Sequence, residues 1–370
     1  MIKSFYLENF RCFESTKATG FCQVNLLGGQ NNIGKTALLE ALLLMGDPSA
    51  NSILKILKFV RRFNPYFLQQ MPHLTWENFF YHRRATKQIT FDFTLANGCQ
   101  NQVIILAEQK TEKTLDLVNS QVRPGDILNF SQTLNTHFPV QSYLKINPLK
   151  NGVKLPENVI IASQNGLTLG NSVVAANLFF TTFFIPANSK LESHQLATEF
   201  DKARFEGKAD YLLQAFQLLD PTIEQVESFT FGSPELYVKR KNEDNLPLSL
   251  FGDAMTRIAE FVLIIINNKN GLVLVDEIEN GIHHTRQEQV WSFLLKLCKL
   301  YNVQLFATSH SYEMINAFKN VMIQPDNLDD AGYFEMSRHP ISNQIVIQKI
   351  PPYSLEDKLK NKRSVRGESI

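Results

Sequence analysis

An α/β fold, with a parallel core sheet beside an antiparallel lobe, is what this sequence predicts, and three observations predict it. First, the apolar run Val24 to Leu27 leads into Gly29-Gln-Asn-Asn-Ile-Gly34-Lys35-Thr36, which opens an apolar helix, Ala37 to Met45. A strand, a glycine loop of G-x-x-x-x-G-K-[ST] spacing and a helix, in that order, make a phosphate-binding loop. Second, Gly271-Leu-Val-Leu-Val-Asp276-Glu277 reads as a buried strand that delivers two acids to its end. Third, helix Met255 to Ile266, strand Leu272 to Val275, helix Gln287 to Leu300 and strand Val303 to Ala307 alternate, which implies parallel pairing.

The other elements follow in chain order. Met1 to Phe10 alternates like a strand, and Gln23 to Leu27 is the next. The helix from Ala37 stops at Gly46-Asp-Pro48. Gln88 to Leu95 alternates, and Ala96-Asn97-Gly98-Cys99 turns it back on Val103 to Leu106 as a hairpin. Residues 108–180 are mixed and polar; Val159 to Ala162 and Leu178 to Ile185 are strand-like. Asp201 to Leu219 has helical spacing closed by Asp220-Pro221, and Val226 to Phe231 with Glu235 to Val238 reads as an antiparallel pair. Gly332 to Met336 and Gln344 to Ile350 are the last strands.

At 370 residues the chain exceeds the usual single-core size, so two lobes or a core with an insertion is expected. The division read from the chain is a nucleotide-binding head from residues 1–50 and 225–350, an insertion 51–224 that completes the β lobe and adds a helical and mixed subdomain, and a basic tail 351–370 read as a solvated or disordered end. The net charge of +1 gives the whole molecule no field for polyanions. Four scattered cysteines without C-x-x-C spacing argue against zinc and disulfides and fit a reducing cytosol. The longest apolar run, Phe261 to Ile266, falls far short of the ~20 residues that span a membrane. The N-terminus lacks a signal-peptide profile, so a cytoplasmic protein without membrane contact is expected.

The chemistry is carried by the two motifs. The glycines let backbone N–H groups close around β- and γ-phosphates, Lys35 reaches the terminal phosphates, and Thr36 offers a hydroxyl to Mg²⁺. Asp276 would hold Mg²⁺, through water, and Glu277 would polarise the attacking water. Together they predict a nucleotide hydrolase.

Three further stretches lie in a fixed order: Pro247-Leu-Ser249-Leu-Phe-Gly252-Asp253-Ala-Met, Glu279-Asn280-Gly281-Ile-His283-His284, and Ala307-Thr-Ser309-His310-Ser311. With Asn9-Phe-Arg11-Cys-Phe13 and the phosphate loop, they resemble the small ABC/SMC-like ATPases related to RecF and the OLD proteins, found in bacterial abortive-infection systems. The resemblance covers residues 1–50 and 225–315 best. It implies an ABC/SMC-like P-loop ATPase head with a mixed sheet, an antiparallel β lobe and an α/β insertion, using ATP and Mg²⁺. It also implies roles. Gly29, Asn31, Asn32 and Gly34 would line the phosphates, with Asn31 near the γ-phosphate, and Arg11 would stand beside the nucleotide. His310 would be the switch histidine, and Ser249, Gly252 and Asp253 would be offered to the nucleotide of a second copy. Leu250 and Ala254 depart from the pattern at that signature, where a serine and a glycine are usual. No Q-loop glutamine is assigned; Gln69 and Gln70 are positional candidates.

Residues 51–87 carry Lys55, Lys58, Arg61, Arg62, Arg83, Arg84 and Lys87 against the single acid Glu77, interleaved with Phe59, Phe63, Tyr66, Phe67, Trp76, Phe79, Phe80 and Tyr81. Cations with stacking aromatics suit nucleic acid. The competing expectation is that the aromatics pack beneath the core. His283-His284 reads as a solvent or dimer contact rather than a metal pair. The stretch after His310 is too short for the nuclease domain of OLD proteins, and residues 46–240 lack the heptads of a long coiled coil. The function expected is an ATP-hydrolysing head that pairs as a homodimer and gates a separately encoded effector, a nuclease or toxin, in a defence module. The alternative is a RecF-like repair clamp whose output is DNA binding.

Overall fold

The computed structural model describes residues 1–61, 64, 71–110, 141–163, 165–170, 179–188 and 190–360. With elements numbered along the chain, the glycine loop leaves strand β3 (Val24–Gly29), which is buried at every position. A strand buried throughout needs cover on both faces, and the sheet around β3 has it. Its order is β10 (Thr182–Ile185), β14 (Leu272–Val275), β15 (Gln304–Thr308), β3, β16 (Ala331–Arg338), β17 (Ile345–Ile350). Every pair is parallel except β16 with β17. Alternate side chains feed two cores: Val273, Val275, Leu305 and Ala307 enter one, and Leu272, Leu274 and Phe306 the other.

The second core joins this sheet to an antiparallel lobe. Its strands are β1 (Ile2–Phe10), β2 (Phe13–Thr19), β4 (Ile89–Leu95), β5 (Gln100–Lys110), β6 (Gln141–Lys150), β7 (Val153–Lys154), β8 (Asn158–Ser163) and β9 (Gly166–Gly170), in the order β2-β1-β4-β5-β6-β8-β9 with β7 on β6. Helix α1 (Lys35–Gly46) packs in that core with Phe5, Phe91 and Ile105 of the lobe. It is buried from Ala37 to Gly46, which is why its sequence is apolar all round. The short α2 (Ala50–Lys55) follows it.

The first core is helical. It gathers α3 (Ser193–Phe205), α4 (Asp210–Leu219), α5 (Asp253–Asn267), α6 (Gln287–Tyr301) and α7 (Tyr312–Met322), with a small sheet of β11 (Ile223–Phe231), β12 (Ser233–Arg240) and β13 (Asn245–Pro247). The expected strand alternation and the hairpins are present.

Three expectations are corrected. The single helix over 201–219 is two, broken at Gly207, whose φ is +71°; the apolar pattern ran on because both helices pack on α5. The strand expected from Leu178 begins at Thr182, and Leu178 lies outside the described residues. The tail is structured over α8 (Pro352–Lys360): Leu355 and Leu359 are buried, and the Tyr312 hydroxyl donates to the Leu359 carbonyl at 2.9 Å.

Within 51–87, Trp76, Phe79 and Phe80 belong to the second core, so they are not free to stack on bases. Phe59 is exposed, with the Lys58 ammonium 5.1 Å from its ring. Arg62, Phe63, Tyr66, Phe67, Gln69 and Gln70 lie outside the described residues.

Candidate nucleotide site

The loop after β3 is shaped by two glycines. Gly29 has φ +145°, and a Cβ there would stand 2.6 Å from the Met336 carbonyl oxygen. Gly34, with φ +106°, precedes α1 directly, and a Cβ there would stand 2.5 Å from the Cys12 sulfur. Side chains fit neither conformation nor space. Lys35 Nζ donates to the carbonyls of Gly29 and Gln30, both at 2.8 Å. Burial lowers the Lys35 pKa, while Asp276, Glu279 and Glu277 act in the opposite sense. Asn31 and Asn32 are exposed on the same loop.

The acids arrive from the neighbouring strands. Parallel pairing sets Val275 opposite Ala307, so the next residues, Asp276 and Thr308, emerge side by side. The Thr308 hydroxyl donates to Asp276 Oδ1 at 2.6 Å and accepts from the Glu277 N–H at 2.9 Å. From the other side, the Thr36 hydroxyl donates to Asp276 Oδ2 at 2.8 Å. Glu277 holds φ +49°, a left-handed conformation costly for a side-chain-bearing residue and concentrated at functional sites. Its Oε2 accepts from Asn280 Nδ2 at 3.1 Å.

A hydroxyl and a carboxylate in contact are hard oxygen donors of the kind Mg²⁺ takes beside phosphates. Burial raises the Asp276 pKa, against the hydroxyls of Thr308 and Thr36. A divalent cation would offset that desolvation, so the donor set fits. The shift has a testable sign. With the folded pKa above the unfolded one, the native state holds more protons between the two values, so stability falls as pH rises through that window. Asp276→Asn is therefore expected to raise the melting temperature of the nucleotide-free protein near pH 7 and to flatten this loss, while abolishing Mg²⁺-dependent turnover. A variant that melts below wild type across pH 4–8 would contradict the buried-charge account.

Asn31, Asn32, Gly34, Lys35 and Thr36 line a cavity of about 750 Å³, and Asp276 and Glu277 line it too. Such a volume is in the ordinary range for small-molecule sites. Arg11 also lines the cavity, but it is anchored from behind. Its Nε donates to Glu40 Oε2 at 2.8 Å, its Nη1 donates to the Asn78 carbonyl at 2.7 Å, and its guanidinium lies 4.2 Å from the Phe79 ring. Glu40 is fully buried on α1 and also accepts from Arg61 Nε at 2.5 Å.

His310 and the signature residues stand elsewhere. His310 is 43 % exposed and held by Glu279, whose Oε1 accepts from the His310 backbone N–H at 2.9 Å and lies 3.0 Å from Nδ1. The Ser249 hydroxyl donates to Glu235 Oε1 at 3.1 Å, Asp253 pairs with Lys190, and Gly252, with φ +85°, precedes α5. These three line a different groove, together with Lys190 and Glu235.

Sequence reasoning missed Thr308, Glu40 and Arg257. Thr308 had a signal, since it ends β15 one place after Ala307, the partner of Val275 in the parallel register. Arg257, on α5, had none. It is buried, its Nη2 donates to the Asp276 carbonyl and its Nη1 to the Pro186 carbonyl, both at 3.0 Å, and it pairs with Glu260 at 3.2 Å. Glu260 accepts in turn from the Leu191 N–H. The helix behind Gly252 is thus tied to the backbone of Asp276. Glu260→Gln is expected to destabilise the fold by about 3–5 kcal/mol, the usual cost of stranding a buried charge, read by urea unfolding; a change below about 1 kcal/mol would mean water reaches the pair.

A family described as "AAA domain, putative AbiEii toxin, Type IV TA system" matches residues 132–316, half of the chain, and an "AAA ATPase domain" family matches residues 1–119. An "ATP/GTP phosphatase" of Helicobacter pylori is 26% identical over 338 residues, covering 88% of this chain and 90% of that protein. Among solved structures, the SMC head bound to the C-terminal winged-helix domain of ScpA aligns with a TM-score of 0.50 at 12% identity, covering 96% of this chain and 99% of that one. The chain belongs to the family described as "AAA domain, putative AbiEii toxin, Type IV TA system", and it has the fold of an SMC head.

Proposed function

We propose that the chain binds ATP with Mg²⁺ in the cavity beside α1 and hydrolyses it in the cytoplasm. One observation carries this reading: the Thr36 hydroxyl, on the phosphate-loop helix, meets Asp276 at 2.8 Å with Glu277 next in sequence. Thr36 and Asp276 would hold Mg²⁺, which supplies positive charge against phosphate oxygens. Lys35, freed from its two carbonyls, neutralises terminal phosphate charge. Glu277, oriented by Asn280, accepts a proton from the attacking water. His310, held by Glu279, would act as the switch histidine that senses the γ-phosphate. The name of the Helicobacter pylori relative supports nucleotide hydrolysis.

Ser249, Gly252 and Asp253 lie in a groove of their own, which favours their use by a second copy over use within one chain. The cycle would then be pairing of two heads on ATP and release on hydrolysis. The toxin–antitoxin context in the family description supports an output in such a module, with a separately encoded effector gated by the head arrangement it binds better.

Lys35→Ala is expected to abolish ATP binding and turnover, measured by calorimetry and phosphate release. The purified chain should leave DNA and RNA intact. Expression alone, with its genomic neighbours, and with Lys35→Ala, scored by growth with and without phage, tests the gating. Nuclease activity of the chain alone, lost in Asp276→Ala, would overturn the regulator reading and make the chain the effector.

A further inference from the structure

We propose that Arg240, Arg286 and His283 form a second phosphoryl-anion site, apart from the phosphate loop. Its ligand is a polyphosphate, either free or held by a second copy of the chain.

The three side chains line one cavity of about 330 Å³, with Asp220, Phe251 and Gly281. They come from three stretches of the chain. Arg240 ends β12, His283 lies in the turn after β14, and Arg286 directly precedes α6. Gly281 brings that turn against the start of α5: its φ is +80°, and a Cβ there would stand 3.2 Å from the Ala254 nitrogen.

Arg240 is aimed and still accessible. Its Nε donates to Asp220 Oδ2 at 2.7 Å, its guanidinium lies 4.7 Å from the Phe251 ring, and 37 % of its side chain is exposed. Glu243, which does not line the cavity, reaches Arg240 Nη1 only at 3.8 Å. Asp220, the one acid in the lining, is already engaged. It accepts from the Thr222 hydroxyl at 2.6 Å as well as from Arg240. Arg286 is half-buried and makes no ion pair among the described residues; its Nη1 donates to Gln289 Oε1 at 3.3 Å. His283 is exposed, and its Nδ1 accepts from the Thr285 N–H at 3.5 Å. That puts the proton of the neutral ring on Nε2, a donor.

Two guanidinium groups against one committed carboxylate leave the cavity cationic. Guanidinium forks match the oxygens of phosphate. Donors on three separate stretches suit a tetrahedral anion with three oxygens better than a planar carboxylate with two. The groove on the other flank of the α5 start has the opposite balance. There Glu192, Glu235 and Asp253 face the single cation Lys190, so phosphate charge brought to this helix start is met on the Arg286 side.

The test has one arm for each source. For a free anion, tripolyphosphate is titrated calorimetrically into Lys35→Ala, whose phosphate loop is disabled, alone and combined with Arg286→Ala, His283→Ala or Lys296→Ala. For an anion held by a second copy, pairing of Glu277→Gln on ATP and Mg²⁺ is measured by sedimentation with the same three additions. In one arm or both, Arg286→Ala should weaken binding about tenfold, the loss of one charge-assisted contact. His283→Ala should weaken it by a smaller factor. Lys296→Ala, at an exposed lysine on α6 outside the cavity, should stay within twofold. A loss in the first arm assigns the site to free polyphosphate, and a loss in the second to the partner's nucleotide. No effect of Arg286→Ala in either arm, an equal loss in Lys296→Ala, or a Lys35→Ala that binds no tripolyphosphate together with a Glu277→Gln that does not pair would overturn the site. Wild-type ATP turnover is read separately, so failure of this site and failure of the proposed hydrolysis are distinct results.

Discussion

Glu277→Gln is expected to slow ATP hydrolysis by ~10²–10⁴, the range for losing a general base, and to trap the nucleotide-bound pair. The substitution keeps what surrounds the carboxylate. Glutamine presents the same Oε acceptor to Asn280, and the backbone N–H still donates to Thr308 at 2.9 Å. Lys35, Thr36 and Asp276 are untouched, so nucleotide affinity should hold or rise. The left-handed backbone at position 277 is no harder for glutamine than for glutamate. Single-turnover phosphate release measures the rate. Size exclusion with and without ATP and Mg²⁺ measures the pairing. A variant that hydrolyses within tenfold of wild type would remove Glu277 from the water-polarising role. A slow variant that elutes at one size in both conditions would sink the proposed two-head sandwich while leaving the hydrolytic role standing.

The phosphate-loop end of the molecule was legible because its signals are local. A strand, two glycines, a lysine, a threonine and a helix are contiguous, and the structure puts them where that order demands. The meeting of Thr36 with Asp276 needs only one step more, the parallel pairing of β3, β15 and β14. The lobe was harder. β5 and β6 pair along ten residues, yet the partner strands are separated by residues 111–140, and long-range antiparallel pairing leaves no mark within either strand. The break at Gly207 was hidden because apolar spacing reports which face is buried and says nothing of where a helix stops.

The ion pairs behind the site were also illegible. Glu40 in an apolar helix and Arg257 in another look like isolated polar residues. Only the fold shows that each is buried against an opposite charge. The interleaved cations and aromatics of 51–87 pointed to nucleic acid by composition. The structure divides that segment: several aromatics serve the core, Arg61 pairs with Glu40, and Thr75, Asn78, His82 and Arg83 line the cavity. Composition cannot make that division, since packing and stacking use the same residue types.

Glu40→Leu is expected to be the most destabilising single change near the site. The carboxylate is fully buried and holds Arg11 at 2.8 Å and Arg61 at 2.5 Å. Burial already lowers the Arg11 pKa, with Glu40 opposing that shift. Removing the acid leaves a guanidinium in apolar surroundings, at a cost of about 3–5 kcal/mol. Against the ~5–15 kcal/mol that a folded domain typically holds in reserve, that is a large share. Arg61, at 39 % side-chain exposure, can turn to water, so Arg61→Met should cost far less. The double variant Arg11→Met with Glu40→Leu should recover most of the loss, because an apolar replacement for a buried pair is often near neutral. Urea unfolding of the two singles and the double gives the coupling directly. The recovered double should still bind ATP more weakly than wild type, since the Arg11 guanidinium is gone from the cavity lining. Glu40→Leu within about 1 kcal/mol of wild type would mean that water screens the pair, and the anchoring of Arg11 toward the cavity would lose its physical basis.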